Sequence, residues 1–204
     1  MSSRRIGVLV VLLIAASGLA FAAIKSGSEG GSQAGGPANA PALGQFVPIS
    51  PPRPAPKVAF TDLSGRPFAL GDFAGKVVLV NLWATWCAPC RHEMPSLDRV
   101  QSDLGDRIAI LAISEDIGGA KSVDPFMAKL GIKHIRPYLD PKSALGQAFK
   151  VDGLPTTFVI DREGLVQGRV EGEAQWDSPK MLAVLARFLV KNEIVKTALP
   201  RERP

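Results

Sequence analysis

Apolar and polar positions alternate between two patterns from about residue 58 onward. Short, continuous apolar runs rich in β-branched residues predict buried strands, and apolar residues at three- and four-residue spacing predict helices. The predicted strands are residues 77–83, 108–114, 156–160 and 165–171, and the predicted helices are residues 88–104, 143–149 and a final helix from Asp177 or Ser178. Strands that alternate with helices and end in a hairpin predict an α/β fold, with a central mixed sheet flanked by helices on both faces.

A further helix is predicted between the second and third of these strands. Asp124 is a suitable N-cap and Pro125 a suitable first helical residue, since proline needs no N–H partner there. Gly131 is a suitable C-terminal cap for the helix.

A long uncharged segment, Ile6 to Ile24, precedes this region. Its 19 residues approach the roughly 20 that a helix needs to cross a membrane. Because Arg4 and Arg5 lie before it, we expect a cytoplasmic amino terminus, a single-pass anchor over residues 1–25 in the inner membrane, and a carboxyl-terminal domain in the periplasm. The alternative is a cleaved signal peptide, since residues 20–22 read Ala-Phe-Ala. Under either interpretation, we expect the domain that follows to be exported from the cytoplasm.

Residues 26–57 have the composition of a linker. They hold six Gly, seven Pro and four Ser, with almost no aliphatic periodicity. We expect a flexible first half and a second half stiffened towards polyproline II. The predicted folded domain is residues 58–192, followed by a polar tail at residues 193–204.

Charge excludes a nucleic-acid-binding domain. The whole chain carries +5, of which residues 1–57 contribute +4 and residues 191–204 contribute +2, so the segment between them has a net charge of −1. A domain that binds a polyanion requires a basic face, and the predicted domain has none.

The two cysteines lie where a buried strand gives way to a helix, in the sequence Trp86-Cys87-Ala88-Pro89-Cys90. A helix start offers free backbone N–H groups and a partial positive charge, and both stabilise a thiolate on Cys87. Cys90 lies one helical turn further on, so it can attack Cys87 and resolve a mixed disulfide. Pro89 suits the first turn. Trp86, beside Cys87, is a candidate contact for a partner protein, and Pro89 is a second candidate contact.

The segment WATWCAPCRHEMPSL resembles the active-site segment of the thioredoxin superfamily. With the segments LAISED, GLPTTFVIDREG and EGEAQW, it is most similar to the membrane-tethered TlpA, ResA and CcmG group of thiol-disulfide oxidoreductases, and among these to TlpA. The resemblance implies a thioredoxin fold with an added β segment at about residues 58–70.

The resemblance also implies roles for residues outside the cysteine pair. Pro155 matches a cis-proline that lies against the two cysteines, and Leu154, which precedes it, would present its backbone to a substrate strand, so both are candidate substrate contacts. Glu115 matches a glutamate that approaches the cysteines. We hypothesise that it manages the proton of Cys90 during exchange, although a solvated carboxylate is an equally good interpretation. Asn81 stands where cytoplasmic thioredoxins carry a buried aspartate, so the thioredoxin proton relay is absent.

These observations predict an exported reductase of protein disulfides that needs no cofactor beyond its Cys87–Cys90 disulfide. Arg91 follows Cys90, which argues against haem attachment, and the two histidines lack metal-ligand spacing. The resemblance implies a monomer that receives electrons from a membrane thiol donor of the DsbD or CcdA type. Its substrates would be apocytochrome c or copper-site assembly proteins. The alternatives are a copper chaperone of thioredoxin fold and a specialised dithiol oxidant.

Overall fold

The computed structural model of the protein describes residues 42–198, with side chains up to residue 189. The predicted anchor and the first part of the predicted linker therefore lie outside the described residues. No helix within the described part of the chain is long and apolar enough to cross a membrane.

A single eight-stranded mixed sheet forms the centre of the fold, in the order β1-β8-β7-β4-β5-β6-β2-β3. The strands are β1 (Phe46–Pro54), β2 (Ala59–Asp62), β3 (Pro67–Ala69), β4 (Val77–Trp83), β5 (Ile108–Ser114), β6 (Arg136–Leu139), β7 (Thr156–Ile160) and β8 (Leu165–Glu171). The helices are α1 (Ala88–Leu104), α2 (Ala120–Lys129), α3 (Ala144–Phe149) and α4 (Pro179–Ala198). Strands β4, β5 and β6 run parallel, whereas β7 runs antiparallel to β4. The predicted α/β class, mixed sheet and β segment near residues 58–70 are confirmed.

Strand β4 is buried on both faces, which explains its continuous apolar sequence. Leu79 and Trp83 point into a core shared with α1, α2 and α4, while Val80 and Leu82 point into a second core shared with α3. Helices therefore cover both faces of the sheet, as predicted. This packing fixes the end of β4, from which the chain passes into α1.

The linker prediction is wrong for residues 46–54. These residues form β1, an edge strand that pairs antiparallel with β8 from Phe46–Val170 to Pro54–Leu165. Proline has no N–H to donate, and an edge strand tolerates it because one side of the strand needs no partner. The folded domain consequently begins before residue 58. The sequence did not indicate this start because the proline-rich composition of the segment also fits polyproline II.

Two helix boundaries also differ from the prediction. Helix α2 begins at Ala120 with Gly119 as its N-cap, so Asp124 is not the cap and Pro125 lies inside the helix. Burial of Val123 in the core favours the additional turn before Pro125. Helix α4 begins at Pro179, just after the predicted start at Asp177 or Ser178, and it continues to Ala198, past the predicted start of the tail at residue 193.

Candidate active site

The two cysteines lie at the start of α1, where the sequence places them. Cys87 is the N-cap residue of the helix, and Pro89 lies within its first turn. The sulfur of Cys87 is bonded to that of Cys90, and the two Cα atoms are 5.3 Å apart. The backbone N–H of Cys90 donates to the Cys87 sulfur at 3.3 Å. The helix thus directs one of its free N–H groups at the sulfur of the first cysteine.

The two cysteines differ in how far they are exposed to solvent. Cys90 is completely buried, while Cys87 is 5% exposed and lies next to the exposed side chains of Trp86 and Pro89. Trp86 is 70% exposed, which is unusual for so large an apolar ring. A partner can therefore reach the pair only at Cys87, with Trp86 and Pro89 at the edge of the approach.

The peptide bond between Leu154 and Pro155 is cis, which confirms the expectation from the resemblance. The two residues line a groove of about 500 Å³ together with Pro89. Pro155 is buried and Leu154 is half-buried. The structure thus brings three of the four predicted substrate-binding residues into one groove beside the cysteine pair.

The fourth predicted contact residue, Trp86, lines a neighbouring groove of about 490 Å³. Glu115 and Leu154 also line this groove, so Leu154 separates it from the first one. Burial raises the pKa of Glu115, a hydrogen bond with Ser143 opposes the rise, and the charge of Asp140 adds to it. The structure therefore places Glu115 on the same side as Trp86, close to the start of α3.

A second carboxyl group, Glu93, was missed by the sequence analysis. It lies one helical turn after Cys90 on α1 and is only 1% exposed. One oxygen accepts a hydrogen bond from the side-chain amide of Asn81 at 2.7 Å. The other accepts from the backbone N–H of Ala174 and from the Trp176 indole, both at 3.1 Å. The available signal was its position in the apolar stripe of α1, where a charged residue needs partners.

Burial raises the pKa of Glu93 to about 7, although three donated hydrogen bonds oppose the rise. The bonds from Trp176, Ala174 and Asn81 favour the charged carboxylate, and the nearby charge of Glu173 disfavours it. A carboxyl group with this pKa can accept or release a proton near neutral pH. Asn81, which replaces the aspartate of thioredoxins, therefore holds a carboxylate contributed by the helix.

No group of three or more His, Cys, Asp and Glu side chains is arranged to hold a metal ion within residues 42–189. His92 lies 3.4 Å from the carboxylate of Glu173, on the surface of α1. The two cysteines are bonded to each other.

Comparisons with known proteins agree with this geometry. The family model described as Redoxin matches residues 52–185. The chain belongs to the redoxin family. The thioredoxin-like protein YneN of Bacillus subtilis (strain 168) is 34% identical over 123 residues, which cover 59% of this chain and 71% of YneN. The thiol-disulfide oxidoreductase ResA of Geobacillus kaustophilus (strain HTA426) is 36% identical over 120 residues, which cover 58% of this chain and 67% of ResA.

The fold of this redoxin is also found in a solved structure. A Chlorobium tepidum protein assigned as the thiol:disulfide interchange protein DsbE superimposes with a TM-score of 0.62 and 27% identity. The superposition covers 68% of this chain and 96% of the other. This redoxin has a thioredoxin fold and is a thiol-disulfide oxidoreductase.

Proposed function

We propose that this redoxin reduces disulfide bonds of other proteins outside the cytoplasm, with Cys87 as the attacking and Cys90 as the resolving residue. The observation that carries the proposal is the N–H of Cys90 directed at the Cys87 sulfur, with Cys90 itself completely buried. A donor and a helix start stabilise negative charge on Cys87 and so lower its proton affinity. Cys90 is completely buried, so a partner cannot reach it directly and it is proposed to react second.

The exchange follows from these two positions. In the reduced protein the Cys87 thiolate attacks one sulfur of the substrate disulfide, so a new S–S bond forms and the other substrate sulfur leaves and takes up a proton. Cys90 then loses its proton and attacks Cys87, which forms the Cys87–Cys90 disulfide and releases the second substrate sulfur. Two electrons pass to the substrate. Leu154 and Pro155 are proposed to hold the substrate segment beside Cys87, with Trp86 and Pro89 as further contacts.

The Cys90 proton needs an acceptor, and Glu93 is proposed to serve as one. Residues three apart on a helix lie on the same face, so Glu93 shares the buried face of α1 with Cys90. Its pKa of about 7 matches the working range of a general base. For Glu115, which matches a family position close to the cysteines, we propose that it helps to manage the same proton during exchange.

Replacing Glu115 with glutamine is expected to shift the pH titration of the thiols and to slow exchange by about tenfold, because a group that moves a proton is lost while the shape is kept. Thiol alkylation rates across pH and single-turnover exchange rates provide the measurement. Glu163→Gln is a matched control, since Glu163 is an exposed residue in the turn after β7. Titration curves that coincide with those of the unmodified protein would remove Glu115 from the mechanism.

The direction of electron flow is tested by the reduction potential. Dithiol pairs range from about −270 mV in thioredoxin to about −120 mV in a strong oxidant. We expect a value nearer to the first figure, measured by equilibration of the Cys87–Cys90 pair with glutathione or dithiothreitol buffers. A value of about −150 mV would assign this redoxin as an oxidant.

The uncharged segment from Ile6 to Ile24 supports a location at the inner membrane, with the domain in the periplasm. In an oxidising compartment, a reductase must be supplied with electrons. We propose a transmembrane thiol donor of the DsbD or CcdA type as the source. Disulfides of apocytochrome c or of copper-site assembly proteins are the proposed substrates, in line with the resemblance to TlpA, ResA and CcmG.

A further inference from the structure

The residues before β1 form a short strap, Ala42–Gln45, that lies against the end of β8. The N–H of Gly44 donates to the carbonyl oxygen of Glu171 at 2.7 Å. Gly44 has a φ of +73°, and a Cβ atom there would collide with the carbonyl oxygen of Glu173. Only glycine permits this close approach. The strap is therefore held by a specific backbone contact.

A second glycine lies opposite the strap. Gly172 has a φ of +76°, and a Cβ atom on it would come within 3.1 Å of the Leu43 Cβ. Its N–H donates to the carbonyl oxygen of Pro155 at 2.8 Å. The consecutive residues Glu171 and Gly172 therefore each make a backbone hydrogen bond. Glu171 accepts from Gly44 of the strap, and Gly172 donates to the cis-proline Pro155.

The side chain of Leu43 is not buried by this arrangement. It is 78% exposed, and it lines the groove beside the cysteine pair together with Pro89, Leu154 and Pro155. Isolated exposed leucines are common on protein surfaces and need no explanation by themselves. Leu43 differs because its backbone is held by the strap contacts while its apolar side chain lies exposed on the wall of a groove that also includes Pro89, the residue before Cys90.

The charged residues of the groove restrict the kind of segment that fits it. Its charged lining residues are Asp152, Glu171 and Glu173, and neither lysine nor arginine is among the lining residues in the described part of the chain. Glu171 is paired with Arg169 at 2.8 Å, and Glu173 lies 3.4 Å from His92, so Asp152 is the one carboxylate of the three without a basic partner in the described structure. The groove therefore disfavours acidic residues and presents an otherwise apolar wall.

We propose that Leu43 determines substrate specificity by contacting an apolar side chain next to the reacting cysteine of the partner protein. The partner is an extended segment that carries an aliphatic or aromatic residue beside its disulfide and has no acidic residues nearby. The inference rests on the proposed function, because the contact forms while the substrate disulfide is presented to Cys87. Contact between Leu43 and the apolar residue of the partner removes both side chains from water, and this burial favours apolar over polar residues at that position of the substrate.

The test uses the fully reduced full chain and three neutral disulfides. Two are cyclic peptides that differ only in a leucine or a serine next to the first cysteine, and the third is hydroxyethyl disulfide, which has no side chain for the groove. Second-order rate constants are measured by acid quenching and mass spectrometry. The variants are Leu43→Ala, Leu43→Met and the control Leu182→Ala, which truncates a partly exposed leucine of α4.

We expect Leu43→Ala to slow reduction of the leucine peptide by about fivefold, because partly buried methyl groups are lost. The serine peptide and hydroxyethyl disulfide should keep their rates within a factor of about two. Leu43→Met should retain the leucine preference, and Leu182→Ala should change none of the three rates.

An equal loss on both peptides, or no loss on either, would overturn the role of Leu43. If the unmodified protein reduced none of the three disulfides, the proposed function itself would fail. The two failures are therefore distinguishable.

Discussion

Replacing Cys87 with serine is expected to lower thiol-disulfide exchange by about a thousandfold or more, because the attacking thiolate is lost and Cys90 is completely buried. Replacing Cys90 with serine has a different consequence. Cys87 can still attack, but nothing resolves the mixed disulfide, so a covalent adduct accumulates. Mass spectrometry of each variant after mixing with a peptide disulfide measures both results.

The two single variants serve as controls for each other, since each removes one sulfur from the same helix turn. An adduct that formed as readily on Cys90 in the Cys87→Ser protein would contradict the assigned order of attack. The double variant should form no adduct. If the Cys90→Ser protein formed no adduct, the dithiol mechanism would be contradicted.

Replacing Glu93 with glutamine is expected to flatten the pH dependence of folding stability between about pH 4.5 and 7. The pKa of Glu93 is raised to about 7 in the folded protein, chiefly by burial. Between the two pKa values the folded state binds the proton that the unfolded state has released, so stability falls as pH rises through this window. The shift corresponds to a loss of about 3 kcal/mol in the free energy of unfolding.

Glutamine cannot ionise, so the variant should lose this dependence while keeping the shape of the side chain. The Asn81 amide can adapt to glutamine, because its Oδ1 has no hydrogen-bond partner in the described structure and can turn to accept one from the new amide. Denaturant unfolding of the oxidised form at several pH values provides the measurement, since the bonded cysteines do not titrate.

Comparison with the unmodified protein cancels the contributions of all other titratable groups, because the two proteins share them. Glu163→Gln again serves as a matched control and should retain the full pH dependence. Parallel stability curves for the unmodified and Glu93→Gln proteins would show that Glu93 keeps an ordinary pKa in the fold.

The elements that position the cysteine pair were predictable because their signals are local. Each signal involves residues that are close together in the sequence: the apolar run of β4, the spacing of apolar residues in α1 and the position of Pro89 near the helix start. Strand β1 was not predictable from its own composition. Its prolines fit polyproline II equally well, and only pairing with β8, more than a hundred residues later, makes it a strand.

The sequence by itself determined the dithiol at a helix start and the α/β class, because strand and helix periodicity and the CxxC spacing involve short-range geometry. The tertiary structure alone decided which carboxyl group is buried beside that dithiol, since the partners of Glu93 come from β4 and from the segment between β8 and α4. It also decided that Leu43 lines the groove that contains Pro89 and Pro155, through backbone contacts that no local pattern encodes. Long-range packing determines both the burial of Glu93 and the position of Leu43, because burial and hydrogen-bond partners depend on residues far apart in the chain.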